Sequence, residues 1–278
     1  MEDATPSRTA LRVARLRAVH QFSPQAGLFR DRYAITILGD GAPAAEELDQ
    51  EDEHSRRMRL FVAARARLAE DWLAASVRRG IRQLVVLGAG LDTFSLRNPH
   101  ADLAVFEVDH PATQAWKRRL IADAGLAEPL GTKFVPVNFE RQLLSEELSS
   151  AGFKPTEAGF FMWLGVLPYL TREAIFSTLS YIAGIPGSEV VFDYSEPADN
   201  RDAAGQAALA FHAGRVASVG EPWISFFDPG ALAKSLNDLG FDDIEDLESG
   251  AIAARFARAA NAGRSNSGGH ILRARRSV

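Results

Sequence analysis

Five short apolar runs constrain the fold more than any other feature of this chain. They are Gln83 to Leu87, Leu103 to Asp109, Lys133 to Val137, Gly159 to Trp163 and Glu189 to Asp193, with helical stretches between them. Each run has the length of a strand. Strands that alternate with helices pair in parallel, because the chain has to cross back over the sheet before it can pair again. A parallel sheet is covered on both faces, so its strands read as unbroken apolar runs. Pro136 lacks an N–H and marks the end of the third run, or a sheet edge.

Two later runs extend the sheet. Phe241 to Leu247 follows a helical stretch from Pro229 to Leu239, and Gly269 to Ala274 follows a glycine- and serine-rich loop over Asn261 to Gly268. The expected fold is α/β: a doubly wound, mostly parallel, seven-stranded Rossmann-like sheet with helices on both faces and a terminal hairpin. No internal repeat is visible.

Ahead of the first strand the texture is helical. Thr9 to His20 is rich in alanine and leucine, with Arg8, Arg12, Arg15 and Arg17 interspersed. Leu60, Ala64, Leu68, Trp72 and Ala75 recur at three- and four-residue spacing, one face of a helix that Gly80 closes. Gly39 to Glu53, between them, is polar and acidic after Pro43 and reads as an exposed loop or a short helix. The segment from Ala198 to Pro222 is too long for a simple connection, and a helix is expected from Arg201 to about Val219. The chain therefore divides into a helical cap or lid, 1–79, and a sheet domain, 80–278, with a helical insertion at 198–222 that joins the cap.

Composition removes several classes of function. There is no cysteine, which excludes disulfides, thiolate metal sites and cysteine nucleophiles. The acidic run from Glu46 to Glu53 lacks an ordered ligand spacing, so no metal site is expected. A net charge of −5 argues against nucleic acid as a partner. No apolar run reaches the roughly 18–20 residues of a membrane span. Glu2 and Asp3 stand where a signal peptide would be basic and then apolar, so a cytoplasmic protein is expected. Nothing bears on oligomeric state.

The chemistry centres on Leu87 to Thr93, directly after the first strand. Gly88 and Gly90 let the backbone turn tightly and approach a ligand. Ligands of open α/β sheets bind at the carboxyl ends of the strands. Asp109 ends the second run 19 residues after Gly90, the spacing of a carboxylate that accepts ribose hydroxyls. Glu107 alternates onto the same face. A dinucleotide fingerprint would have a third glycine where this chain has Thr93. S-adenosylmethionine carries a ribose and an adenine but no phosphate, and two glycines suit it. Methyl transfer stands ahead of hydride transfer, and both stay open.

The blocks VVLGAGLDT, FEVDHP, FVPVNFE, FFMWLGVLPYLT and VVFDYSEP, with LFRDRYA and RLFVAARARLAEDWL before them, resemble the bacterial branch of the leucine carboxyl methyltransferase-like family, class I enzymes that use S-adenosylmethionine. The resemblance runs from about Thr9 to Pro197. It implies that Arg65 pairs with the methionine carboxylate, as a guanidinium fork matches a carboxylate. It places Gly88, Ala89 and Gly90 under the methionine and ribose, Asp109 on the ribose with His110 beside it, and Asn138 and Phe139 at the adenine. Trp163 and Leu164 would flank the cofactor where the fourth strand ends. The family usually has aspartate and leucine at the adenine, and its best-known members have a glutamate where this chain has Leu164. That departure bears on the substrate more than on the cofactor.

Methyl transfer needs alignment and exclusion of water more than a catalytic group. Tyr33, Tyr169 and His212 are the candidates for one. The expected reaction is methylation of a small metabolite, in natural-product metabolism, on a carboxylate or hydroxyl oxygen. The alternatives are carbon or nitrogen methylation of an electron-rich ring such as indole, a nicotinamide-dependent oxidoreductase, and a cofactor-binding protein without catalysis.

Overall fold

The computed structural model describes residues 6–139, 141–256 and 268–277. Among them the sheet has seven strands: β1 Gln83–Leu87, β2 Ala104–Asp109, β3 Thr132–Pro136, β4 Gly159–Trp163, β5 Glu189–Ser195, β6 Asp243–Glu248 and β7 Gly269–Arg275. Their order is β3-β2-β1-β4-β5-β7-β6. The first five run parallel. β7 runs antiparallel to both β5 and β6 and lies between them. The strand order reverses at β1, whose neighbours are β2 and β4, and that reversal opens a crevice at the carboxyl ends.

Position in the sheet follows residue type. β1 and β4 are central and buried along their whole length. β3 is an edge, and Pro136 is its last paired residue, opposite Asp109. β6 is the other edge. It is charged, and its Asp243 meets Arg273 and Arg275 of β7 at 3.0 and 3.1 Å, which blunts an edge against further pairing.

Alternate residues of each strand feed opposite layers. Val85, Leu87, Phe161 and Trp163 pack with α5 Leu144–Ser150, α6 Arg172–Ala183 and α8 Pro229–Asp238. Leu84, Val86, Phe160 and Met162 pack on the other face against Ala64, Leu68 and Trp72 of α2 Glu53–Arg78. Phe94 of α3 Phe94–Arg97 and Ile252 of α9 Ser249–Phe256 complete that layer. α2 thus covers the sheet with its second half and reaches past the strand ends with its first. It starts where the acidic stretch ends, because the Asp52 carboxylate accepts from Ser55 N at 2.7 Å and caps it.

α1 Arg8–Phe22 lies over the glycine loop, packing Ala14 and Ala18 with Leu91 and with Ile121 of α4 Pro111–Asp123. The long segment after β5 forms α7 Ala203–Ala217, capped by Asp202. Residues 261–267 of the expected glycine-rich loop lie outside the described residues.

Candidate functional site

A cavity of about 520 Å³ opens above the carboxyl ends of β1, β2, β4 and β5, roofed by α1, the first half of α2 and α7. Its floor begins where β1 ends. Gly88 and Gly90 have φ of 65° and 48°, which a glycine adopts without strain. Gly88 N and Ala89 N both donate to Val108 O, at 2.8 and 3.0 Å, and clamp the loop to β2. A Cβ on Gly88 would run into the Val166 side chain, and one on Gly90 would sit 3.1 Å from Ala10 of α1.

Asp109 closes β2 beside this loop. Its Oδ2 accepts from Gly90 N at 2.5 Å and its Oδ1 from His110 N at 2.6 Å. Each oxygen can accept a second hydrogen bond, and Asp109 lines the cavity. Burial pushes the carboxyl up to about 6, against the pull of the two N–H donors and Lys117. The cap of α4 falls to His110, whose Nδ1 accepts from Ala112 N, so Asp109 is not used there. Glu107 on the same face is buried with Lys117 at 2.5 Å and does not line the cavity.

Arg65 and Leu164 line the opposite wall. The Arg65 Nη1 donates to Asp193 Oδ2 at 2.8 Å, and Gly165 N donates to Asp193 Oδ1 at 2.6 Å. The guanidinium lies so close over Gly165 that a Cβ there would come 2.7 Å from Nη2. Gly165 has φ of 75°, so its identity follows from both the turn and the arginine above it. Asp193 lies within the VVFDYSEP block and carries no role expected from the sequence. The available signal was an acid near the end of a strand adjoining β4.

Val137, Asn138 and Phe139 follow β3 and line the third side. Trp163 does not reach the cavity. It is fully buried in the core below the sheet, while Met162 and Leu164, its neighbours in the pleat, face the cavity. Tyr33 is also absent from the walls, and Arg32 stacks on its ring at 4.7 Å.

The block that holds Tyr33 contributes Asp31 instead. Arg17 of α1 donates to Asp31 and Asp92 at 2.5 and 2.6 Å and to Thr93 Oγ1 at 3.0 Å. Thr93 Oγ1 donates to Asp31 at 2.6 Å. Thr93 is thus a strut between cap and loop. The interspersed arginines of α1 were the only sequence sign of this network.

The roof closes through side chains. Glu221 accepts from Arg8 N at 2.8 Å, Thr9 N at 3.2 Å, Ser7 Oγ at 3.1 Å and Thr9 Oγ1, so one carboxylate ties the segment after α7 to the N-terminus of α1. Tyr169 and His212 line the cavity. Burial pushes the Tyr169 phenol up. His212 Nδ1 lies 3.1 Å from His54 Nε2, and burial, His54 and nearby arginines hold His212 down at about 3. Both rings are neutral at pH 7, one donating to the other. His54 carried no functional expectation.

The sequence model of leucine carboxyl methyltransferases matches residues 10–183, well over half of the chain. The chain belongs to the leucine carboxyl methyltransferase family. YktD of Bacillus subtilis, named as an S-adenosyl-L-methionine-dependent methyltransferase, is 39% identical over 197 residues, covering 66% of this chain and 64% of that protein. A protein of the same name from Mycolicibacterium paratuberculosis is 36% identical over 192 residues, covering 66% and 62%. The match therefore takes in a little under two thirds of the length of these relatives. A Thermobifida fusca structure titled as a methyltransferase superposes with a TM-score of 0.60 at 17% identity, over 92% of this chain and 99% of that one. A Streptomyces avermitilis structure gives 0.54 at 15% identity, over 95% and 96%. These two show the fold alone. The leucine carboxyl methyltransferase blocks fall on the sheet and the floor of the cavity, on α2 and on the segment between α1 and α2, and the matched region ends before α7. The nicotinamide reading has no support among these relatives.

Proposed function

We propose that the cavity holds S-adenosylmethionine and that this chain transfers its methyl group to a small-molecule acceptor, first of all at oxygen. Asp109 carries the reading. It is a buried carboxylate at the switch point, oriented by two backbone N–H groups, with one acceptor site left on each oxygen for a ribose diol. The glycine loop beside it packs directly against Val166 and Ala10 and lines the cavity with backbone. Asn138 and Phe139 stand where an adenine lies flat, and an asparagine oxygen accepts from an exocyclic amine.

The Arg65–Asp193 pair fits the methionine end. A free amino acid group is a zwitterion, and the pair offers a guanidinium for its carboxylate and a carboxylate for its ammonium. Asp193 thereby supplies, from β5, the acid that Leu164 does not supply from β4. When bound, the cofactor brings a methyl group on a sulfonium, which leaves readily. The chain's share is alignment and dryness: Leu164, Phe61 and Met162 exclude water, and the roof holds the acceptor in line. A carboxylate acceptor needs no base, whereas a phenol of pKa near 10 is helped by one. Tyr169 lines the cavity, and its phenol, pushed up by burial, stays protonated, so it can donate a hydrogen bond to the acceptor but not serve as its base. The proposal carries with it a cytoplasmic place, a role in natural-product metabolism and no nucleic-acid partner.

Calorimetry of the purified chain with S-adenosylhomocysteine tests the cofactor half, and absence of binding overturns it. Labelled methyl transfer to candidate acceptors, with alkaline hydrolysis of the product, separates oxygen esters from ring carbon or nitrogen.

A further inference from the structure

α2 works as a ruler along the cavity. His54, Arg57, Met58, Phe61, Val62 and Arg65 all face it, at the spacing of one helix face. His54 is eleven residues from Arg65, which places it about 16 Å further out along the axis. The His54–His212 pair is therefore at the mouth, and the span between it and Arg65 is apolar, lined by Met58, Phe61 and Leu209.

One arginine of the mouth has no acid of its own. The other inward arginines of the cap have acids: Arg17 has Asp31, Arg59 has Glu51 and Arg65 has Asp193. Arg12 is partly buried on the cavity wall, yet among the described residues its side chain has no salt bridge and no hydrogen bond. Arg215 stands near it and likewise lacks a salt bridge, resting on the Phe211 ring at 5.5 Å. Burial and Arg215 pull the Arg12 guanidinium below its ordinary value, as an unpaired cation requires. The nearby acids are committed elsewhere. Glu221 caps α1, and Asp52 is exposed and caps α2. A partly buried guanidinium without a partner, in a chain of net charge −5, is a site for an anion that arrives with the ligand.

We infer that Arg12, with Arg215 behind it, docks an acidic group, a carboxylate or a phosphate, at the outer end of an elongated acceptor whose apolar body fills the span down to the methyl-accepting atom. This rests on the cofactor occupying the floor. The two uncharged imidazoles beside the arginines spend one N–H on each other and leave one N–H to donate, without adding a competing anion.

The test uses the full chain saturated with S-adenosylhomocysteine, titrated with 6-phenylhexanoate, its isosteric alcohol 6-phenylhexanol, and 6-phenylhexyl phosphate. The acids are expected to bind at least about tenfold more tightly than the alcohol. Whichever acid binds more tightly identifies the group the mouth is built for. Arg12→Gln should cut acid binding about tenfold and leave the alcohol within about twofold, and Arg12→Lys should keep most of the preference. Arg215→Gln, at an exposed position, should cost about threefold and tests the site without risk to the fold. Equal binding of acid and alcohol overturns the inference. So does unchanged acid binding in Arg12→Gln, or a loss of S-adenosylhomocysteine affinity in that variant when its circular dichroism is unchanged, which would move Arg12 to the cofactor. If the unaltered chain fails to bind S-adenosylhomocysteine, the cofactor reading fails instead.

Discussion

The floor and the roof of the cavity are held in place by different forces. The floor residues Gly88, Asp109, Asn138, Leu164 and Asp193 sit at or just beyond the ends of parallel strands, so the backbone ladder sets their spacing. The roof is held by side chains: Glu221 on the N-terminus of α1, His54 on His212, and Arg17 on Asp31 and Asp92. A floor side chain can change while the backbone beneath it stays. In the roof the side chains are the scaffold. The family match crosses this division: residues 10–183 take in α1, α2 and most of the floor, and leave out β5 with Asp193 and the whole of α7. In the proposed function the cofactor rests on the floor held by the backbone ladder, and acceptor choice falls to the roof held by side chains.

Four experiments can break this contrast. The largest effect is expected at the floor's ion pair. Asp193→Asn leaves Arg65 buried without its charge partner and should cost about 3 kcal/mol in urea unfolding; a cost under about 1 kcal/mol would mean that water reaches the pair. Asp109→Ala removes the two charge-assisted bonds proposed to the ribose and should weaken S-adenosylhomocysteine about a hundredfold by calorimetry. An equal loss from a roof variant would erase the distinction.

Next is pH. Asp109 titrates at about 6 in the free chain, and only its ionised form accepts both hydroxyl protons. Bound hydroxyls favour that form and draw its pKa down, so affinity is full above about 6 and falls with acid, by at most about tenfold per pH unit. In Asp109→Asn that slope should disappear. The smallest effect belongs to the roof. Glu221→Gln keeps an acceptor but loses the charge at the start of α1, at a cost of about 0.5–1 kcal/mol. Amides of the first turn of α1 should exchange faster, with cofactor affinity unchanged within about twofold.

The same division marks what was legible in the sequence. The five parallel strands could be read because burial on both faces writes itself as an apolar run. The glycine loop and Asp109 could be read because a turn between two adjacent strands keeps its spacing along the chain. Trp163 was placed at the cavity by nearness to a strand end, but the pleat turns it to the opposite face from Met162 and Leu164. Tyr33 was placed there by its block, whose contribution is Asp31. The pairing of Asp193 with Arg65, the setting of Arg12 and the contact of His54 with His212 were out of reach, since each depends on which distant elements the fold brings together. His54 and His212 are 158 residues apart.

The place of β7 bears on how the chain is made. It is synthesised after β5 and β6, yet it lies between them and supplies the neighbour of each. Until residues 269–275 emerge from the ribosome, β5 presents Glu189–Ser195 as an open apolar edge, and β6 has nothing to pair with. Such an edge is a template for wrong pairing. The nascent chain is therefore most exposed to aggregation in the interval between completing β5 and releasing β7, and chaperone dependence should concentrate there.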